Sequence, residues 1–139
     1  ENVIGIKDSS GNRELFAEYI QAQSPAFSVL TGNAQMWHHA LTVGSRGGIL
    51  AVALFATALA MEVYDAEQRG DREAAAAAQA RLTPLGARIV GEMGVAGVKA
   101  AMERVGLVGG PVRSPLLPLD HDQRASVDEL LSVAELVAA

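Results

Sequence analysis

The sequence contains no cysteine, few basic residues and no long apolar run, and each absence excludes a class of function. Without cysteine there is no disulfide, thiolate nucleophile or cysteine-ligated metal, which fits a reducing compartment such as the cytoplasm. The eleven basic residues are scattered and the formal net charge is −5, which argues against a nucleic-acid partner. The longest uncharged run, residues 47–61, is shorter than the roughly 18 residues that suggest a membrane span, and the first residues lack the layout of a signal peptide. We therefore expect neither nucleic acid nor a membrane as partner.

The pattern of apolar residues predicts an α/β fold in which strands alternate with helices. Strands are predicted over residues 3–7, 27–31 and 47–51, with helices over 13–23, 34–43 and up to about Gly70. This βαβαβα order implies a parallel sheet, either doubly wound or part of a (β/α)8 barrel. Only helices are predicted after that, over residues 72–92, 96–105 and 121–137. The chain therefore divides into residues 1–70, with the last three βα units, and a helical region over residues 71–139.

Four residues mark the predicted starts of two later helices and the bend of one of them. Asp71 is a candidate N-cap for the helix over residues 72–92, and Pro84 should kink that helix. Asp120, with Gln123 three residues further on, resembles a capping box at the start of the last helix.

Lysine is rare in this chain, with only Lys7 and Lys99 against nine arginines, so the position of Lys7 at the end of the first predicted strand asks for an explanation. Alternation along the strand places Lys7 on the same face as Gly5, which is expected to leave space beneath the long side chain. The active sites of barrels gather at the carboxyl ends of their strands. Loss of hydration there favours the neutral, nucleophilic amine, which attacks a ketone to form an imine.

A plainer interpretation of Lys7 remains open, in which the lysine only marks the strand end and is solvated or paired with Asp8. Ion pairing is a commoner role for such a lysine than catalysis. Lys99 is the other candidate nucleophile, but it falls on a predicted helix outside the strand layer. Ser9, two residues after Lys7, is placed to hydrogen-bond a bound substrate.

Four segments of the sequence resemble one known family. "VIGIKDSSGN" resembles the Schiff-base strand of the dihydrodipicolinate synthase and N-acetylneuraminate lyase family. "FSVLTGNAQMW" and "GSRGGILAVALFA" resemble its seventh and eighth strands, and "GVAGVKAAMERVGLVGGPVRSPLLPL" resembles its C-terminal helical region. The resemblance covers essentially the whole chain but only the second half of the family's (β/α)8 TIM barrel.

The resemblance implies a pyruvate-dependent or 2-keto-acid-dependent class I aldolase or lyase without metal or organic cofactor. Lys7 matches the imine-forming lysine, Gly32 matches a glycine that passes close to the substrate, and Ile49 matches an apolar residue beside the imine. Ser9 corresponds to a serine in the hydroxy-oxoglutarate aldolase branch, and "GGPVRSPL" is also similar to that branch. The expected partners are pyruvate, an aldehyde or hydroxy-keto acid, and further copies of the chain in a dimer or tetramer.

The resemblance also implies that five strands are missing, together with the family's proton-relay tyrosine and its paired hydroxyl residues. Neither Tyr19 nor Tyr64 can replace that tyrosine, because both fall on predicted helices. Leu54 departs from the asparagine that many members have after the eighth strand. A chain of this length alone should be nearly inactive and prone to associate through its open sheet. The alternative function is therefore a noncatalytic half-barrel that serves assembly only.

Other candidate sites are weaker. His38 and His39 are adjacent on a predicted helix and point about 100° apart, which is poor geometry for one metal ion, and His121 is expected at the surface. The glycines at positions 32, 44, 47 and 48 suggest a barrel phosphate site, but no glycine-rich loop runs directly into a helix with a basic partner.

Overall fold

The structure, a computed structural model, describes residues 2–137. Within that range three parallel strands form one sheet in the order β1 (Gly5–Asp8), β2 (Ser28–Thr31) and β3 (Gly47–Gly48). The α-helices are α1 (Arg13–Gln21), α2 (Trp37–Thr42), α3 (Thr57–Gln68), α4 (Arg72–Pro84), α5 (Gly94–Arg104) and α6 (His121–Val133). Short 3₁₀ turns occupy Ala34–Met36 and Ala51–Leu54, and a π-helical segment occupies Leu85–Glu92.

The predicted alternation of strands and helices and the parallel sheet are confirmed, but the first and third strands are shorter than expected. β1 begins at Gly5 rather than at residue 3, and Val3 is 71% exposed. β3 ends at Gly48 rather than at residue 51 because a 3₁₀ turn begins at Ala51. Both are edge strands within the described chain, so each has only β2 to hold it in an extended conformation.

One face of the sheet packs against helices α1 and α2. Phe16 of α1 and Val29 of β2 are fully buried there, with Met36 and Ala40 completing the cluster. Ile6 packs against the same cluster from β1. Since neighbouring residues of a strand point to opposite faces, Lys7 and Leu30 lie on the other face of the sheet.

A larger core joins the remaining helices. It extends from α2 through α3, α4 and the π-helical segment to α5 and α6, and its fully enclosed members include Val52, Val63, Leu82, Leu85, Ile89 and Leu131. This core crosses residue 70, and the division into residues 1–70 and 71–139 stays a prediction. The helices after α3 are therefore packed on the strand-bearing half rather than strung out beyond it.

The predicted helix caps are present, and they account for where the later helices begin. The Asp71 side chain accepts a hydrogen bond from the Ala74 N–H, and Asp120 and Gln123 form a complete capping box. α6 ends at Val133 rather than at residue 137, because Glu135 adopts a φ of 60° that a right-handed helix cannot contain. Among residues 2–137, every helix is too short or too polar to span a lipid bilayer.

Candidate active site

The carboxyl ends of the three strands place the predicted site residues at one edge of the sheet. Lys7 lies in β1 and is paired in register with Leu30 of β2. Gly32 directly follows β2, and Ile49 directly follows β3. The Ile49 N–H donates a hydrogen bond to the Thr31 carbonyl oxygen at 2.9 Å, which extends the ladder one residue past β3. Parallel pairing thus brings residues 42 positions apart to the same edge.

Lys7 and Ile49 also share a face of the sheet. A Cβ atom added to Gly48 would lie 2.9 Å from Cζ3 of Trp37, so this position faces α2. Ile49, the next residue, therefore faces away from the helices, as Lys7 does. Both side chains are exposed in residues 2–137, Ile49 to 58%, so an apolar side chain and a primary amine lie on the same uncovered face, with β2 between their strands.

Gly32 lies in close contact with both Lys7 and Ser9. A Cβ atom at this position would overlap the Ser9 hydroxyl and would lie 3.2 Å from Cε of Lys7. The Gly32 N–H donates to the Asp8 carbonyl oxygen at 2.6 Å, which fixes the two strand ends together. The structure therefore brings Lys7, Ser9 and Gly32 into one cluster, and any side chain at position 32 would force Ser9 or Lys7 to move.

Lys7 was interpreted either as a nucleophile or as a lysine that only marks the strand end, and its surroundings bear on the second interpretation. The Asp8 carboxylate accepts hydrogen bonds from Ser10, one from its N–H at 3.1 Å and one from its hydroxyl at 2.9 Å. Within residues 2–137 no carboxylate lies within ion-pair distance of the Lys7 amine. The ion pair with Asp8, one form of the plainer interpretation, is absent there, and the amine is exposed on an open face, as the other form of that interpretation also has it.

The role expected for Gly5 differs from the one that the structure shows. A Cβ atom at Gly5 would lie 2.5 Å from the carbonyl oxygen of Ser28 on the neighbouring strand. Glycine is therefore required for the close approach of β1 to β2, and the space beneath Lys7 stays a prediction.

The weaker candidates have structural partners of their own. His38 Nε2 lies 3.1 Å from Glu67 Oε2, and its backbone N–H donates to Gln79. Burial, Arg13 and His38 together lower the pKa of His39, in that order of importance. No group of three potential metal ligands exists in residues 2–137. Lys99 is half-buried on α5, and its amine donates to the Gly109 carbonyl oxygen at 2.5 Å, so it is bound to the segment after its own helix.

A cleft of about 210 Å³ opens beside Ser9 and Gly32. One side consists of the residues that follow β2 and β3, and the other side consists of Gly86, Val90 and Gly91 of the π-helical segment. This contribution from the helical region was not predicted. Its only signals are Pro84 and the glycines that follow, which loosen the helix where it meets the strand ends.

A family model confirms the resemblance. The dihydrodipicolinate synthetase family matches residues 1–134. A 4-hydroxy-tetrahydrodipicolinate synthase of Archaeoglobus fulgidus is 33% identical over 138 residues, which cover 99% of this chain and 48% of that protein. An uncharacterized DapA-like lyase of Halobacterium salinarum is 36% identical over 128 residues, which cover 92% of this chain and 42% of that protein. The chain spans about half the length of the curated relatives it matches.

Solved structures of proteins from the same family superimpose on this chain. A putative dihydrodipicolinate synthase from Thermus thermophilus superimposes with a TM-score of 0.83 at 36% identity, covering 98% of this chain and 48% of that one. YagE, a prophage protein of the dihydrodipicolinic acid synthase family from Escherichia coli, superimposes with a TM-score of 0.87 at 26% identity, covering 98% and 47%. The α/β fold is thus shared with this family along nearly the whole chain, and the chain belongs to the dihydrodipicolinate synthetase family.

Proposed function

We propose that this chain is the C-terminal half of a (β/α)8 barrel that acts as a class I aldolase or lyase through an imine on Lys7. The observation that carries the proposal is the contact of Gly32 with both Lys7 and Ser9 at the carboxyl edge of the sheet. Family membership supports it, because the relatives include proteins named as lyases and as 4-hydroxy-tetrahydrodipicolinate synthases. The YagE structure is a complex with pyruvate, which supports a 2-keto acid as the first substrate.

The proposed chemistry begins with attack of the neutral Lys7 amine on the ketone carbon of pyruvate. The addition product loses one water to give an imine, whose protonated form withdraws electrons from the neighbouring methyl carbon. Loss of a proton from that carbon gives an enamine, and the enamine carbon forms a new bond to an aldehyde carbon. Water then hydrolyses the imine and frees Lys7, and the reverse order cleaves a carbon–carbon bond. The protonated imine supplies the electron sink, so this route requires neither metal nor organic cofactor.

The neighbouring residues have distinct roles in this proposal. The Ser9 hydroxyl donates a hydrogen bond to bound substrate, and Gly32 lets the backbone approach the reacting carbons. Ile49 stands on the same face as Lys7 and helps to exclude water from the imine once that face is covered. Its 58% exposure gives it a surface available for such packing.

The open sheet supports the half-barrel part of the proposal. β1 and β3 each have one partner strand within residues 2–137, which leaves an unpaired edge on both sides. The helix-free face also carries Lys7 without an opposing layer. Five further strands would pair both edges and cover this face, and they would supply the proton relay and the hydroxyl pair that bind the 2-keto acid. Unpaired edges favour association of the described chain on its own, and the family resemblance supports a dimer or tetramer for the full protein.

The second substrate is proposed to be an aldehyde released from, or added to form, a hydroxy-keto acid. Ser9 and the segment over residues 109–116 support this choice over aspartate semialdehyde through their similarity to the hydroxy-oxoglutarate aldolase branch. A comparison of kcat/KM for aspartate semialdehyde with kcat/KM for aldehydes that form a hydroxy-keto acid tests this choice. A strong preference for aspartate semialdehyde would contradict it.

Borohydride reduction in the presence of pyruvate tests the nucleophile. The test uses the full-length protein that the proposal implies, and the adduct is located by peptide mapping. We expect one keto-acid adduct on the peptide that contains Lys7. The Lys7→Arg variant should form none, because arginine supplies no neutral amine, whereas the matched Lys99→Arg control should form it normally. An adduct on Lys99, or an active enzyme without any adduct, would overturn the proposal.

A further inference from the structure

Gln79 is a polar residue on the core-facing side of α4. Residues three or four apart share a face of a helix, so Gln79 lies on the same side as Ala75 and Leu82, which are both fully buried. Gln79 itself is half-buried. A polar side chain in such surroundings needs hydrogen-bond partners, and Gln79 finds two of them outside its own helix.

The side-chain amide of Gln79 joins α4 to the segment that follows β2. Its Nε2 group donates to the Ala34 carbonyl oxygen at 2.9 Å, and its Oε1 atom accepts from the His38 N–H at 2.9 Å. Nε2 also donates to the Thr83 hydroxyl at 2.9 Å. A carbonyl oxygen can only accept and a backbone N–H can only donate, so these partners fix the orientation of the amide. The amide therefore bonds to two points that are 45 and 41 residues away in sequence.

The segment that Gln79 holds begins at the candidate active site. Gly32 lies two residues before Ala34, and a Cβ atom at Gly32 would overlap the Ser9 hydroxyl and lie 3.2 Å from Cε of Lys7. The position of the Gly32 backbone therefore limits where the Lys7 side chain can lie.

Asn33 makes the turn after β2 a single unit. Its side chain accepts hydrogen bonds from the N–H groups of Gln35 and Met36, at 2.9 and 3.3 Å. Its own N–H donates to the hydroxyl of Thr31, which is buried at the end of β2. A displacement of the 3₁₀ turn is therefore passed back to Gly32.

Packing limits how closely the helical region approaches this turn, but it does not hold the turn in place. A Cβ atom added to Gly86 would lie 2.7 Å from Cβ of Ala34, so the π-helical segment already touches the turn. Such a contact resists closer approach, whereas the attraction between one pair of atoms is weak. Hydrogen bonds are directional, so the bonds of Gln79 also resist sliding and separation of the turn.

We propose that Gln79 is a positioning residue for Lys7, which acts through Ala34 and Gly32 and does not itself touch the substrate. The inference rests on the proposed function, because it concerns the placement of the amine that forms the imine. Gly32 borders Cε of Lys7, the atom that carries the reacting nitrogen, so loss of Gln79 should slow imine formation. Pyruvate binding should change little, because the proposed function assigns the keto acid to the hydroxyl pair in the preceding half of the barrel.

Two substitutions remove the bond to Ala34 and differ in the bond to His38. Gln79→Met keeps the length of the side chain and loses both bonds. Gln79→Glu, when ionised, still accepts from the His38 N–H but cannot donate to Ala34. Gln123→Met is the matched control, because the Gln123 side chain accepts from the N–H of Asp120 in the capping box of α6. This control also removes a side-chain hydrogen bond at a helix start, and α6 contributes no residue to the cleft beside Gly32.

Timed borohydride trapping in the full-length protein measures the rate and the amount of the Lys7 adduct separately. A misplacement of about 1 Å at a reacting group costs on the order of 100-fold in rate. Gln79 acts on Lys7 indirectly, so we expect both Gln79 variants to lower the rate constant at saturating pyruvate by about 10-fold. The half-saturating pyruvate concentration should stay the same, and Gln123→Met should keep the wild-type rate constant. A loss of folded protein would lower the final amount of adduct and leave the rate constant of the folded fraction unchanged.

The outcomes separate this inference from the proposed function. Wild-type rate constants in both Gln79 variants, or an equal fall in Gln123→Met, would show that the inference is wrong while the proposed function stands. A rise in the half-saturating pyruvate concentration at an unchanged limiting rate constant would also contradict it. A slow Gln79→Met with a normal Gln79→Glu would assign the effect to the His38 bond and overturn the path through Ala34. If the wild type forms no adduct on Lys7, the proposed function is wrong and the inference falls with it.

Discussion

If Lys7 acts as proposed, replacement of Gly32 by alanine should greatly lower the aldolase activity without unfolding the protein. The added Cβ would overlap the Ser9 hydroxyl and would lie 3.1 Å from Cβ of Ser9 and 3.2 Å from Cε of Lys7. At least one of these side chains must therefore move. A misplacement of about 1 Å at a reacting group costs on the order of 100-fold in rate, so we expect kcat to fall by about that factor.

The stability of the Gly32→Ala variant should change little. The φ of Gly32 lies outside the left-handed region, so alanine adopts the native backbone without strain. Alanine in place of glycine also restricts the unfolded chain, which contributes about 0.4–1 kcal/mol of stability against the cost of the overlap. We therefore expect the free energy of unfolding, measured by urea denaturation, to shift by no more than about 1 kcal/mol.

Gly47→Ala is the matched control, since Gly47 lies on the same sheet and its added Cβ would meet only Cδ2 of Leu30, at 3.7 Å. This variant should keep wild-type kcat in a pyruvate-dependent aldolase assay. The double variant Gly32→Ala/Ser9→Ala lacks the overlapped hydroxyl. We therefore expect Gly32→Ala to lower kcat by a smaller factor when Ser9 is already alanine than when Ser9 is present. Equal kcat for Gly32→Ala and Gly47→Ala would refute the reasoning.

Three further predictions concern the stability of the full-length protein that the proposed function implies. Leu82→Ala, at a fully buried position of the larger core, should lower the free energy of unfolding by about 2–5 kcal/mol, whereas Leu117→Ala, at a 79% exposed position, should change it little; similar losses in urea denaturation would contradict the assigned core. Asp120→Ala removes the capping box of α6 and should cost about 1 kcal/mol, while Asp120→Asn should retain most of it as the control. The pKa of His39 is lowered mainly by burial, so the unfolded chain binds the proton more readily than the folded chain. The contribution of His39 to the free energy of unfolding should therefore be complete above the unfolded pKa near 6.5 and decline as the pH falls through the folded pKa. His39→Gln should flatten the urea-denaturation stability profile over that range, and an unchanged slope would show that other groups cause it.

The alternation of apolar residues was enough to predict the order of strands and helices, because burial imposes it locally. Val29 and Thr31 face the helices and Leu30 faces away, as a period of two requires. Asp71 and Asp120 were predictable as caps for a similar reason, since the helix N–H groups they accept from are only three residues away. Features decided by neighbours in sequence could therefore be predicted.

The parts that could not be predicted depend on distant contacts. The sequence over residues 72–92 indicates one kinked helix, but the structure has a π-helical segment after Pro84, whose Gly86 packs closely against Ala34, 52 residues away in sequence. The exposure of Lys7 likewise depends on what covers the sheet face, and nothing within residues 2–137 does so. The cluster of Lys7, Ser9 and Gly32 was predicted as three separate positions, and the register of β1 with β2 is what brings them into contact.

A crystal structure of the full-length protein with pyruvate tests the central claim, the imine on Lys7, most directly. We predict continuous density from Nζ of Lys7 to the ketone carbon of pyruvate, with the bound molecule next to Ser9 and Gly32 and with strands from the preceding residues paired to β1 and β3. Pyruvate bound without a covalent bond to Lys7, or joined to another residue, would contradict the account.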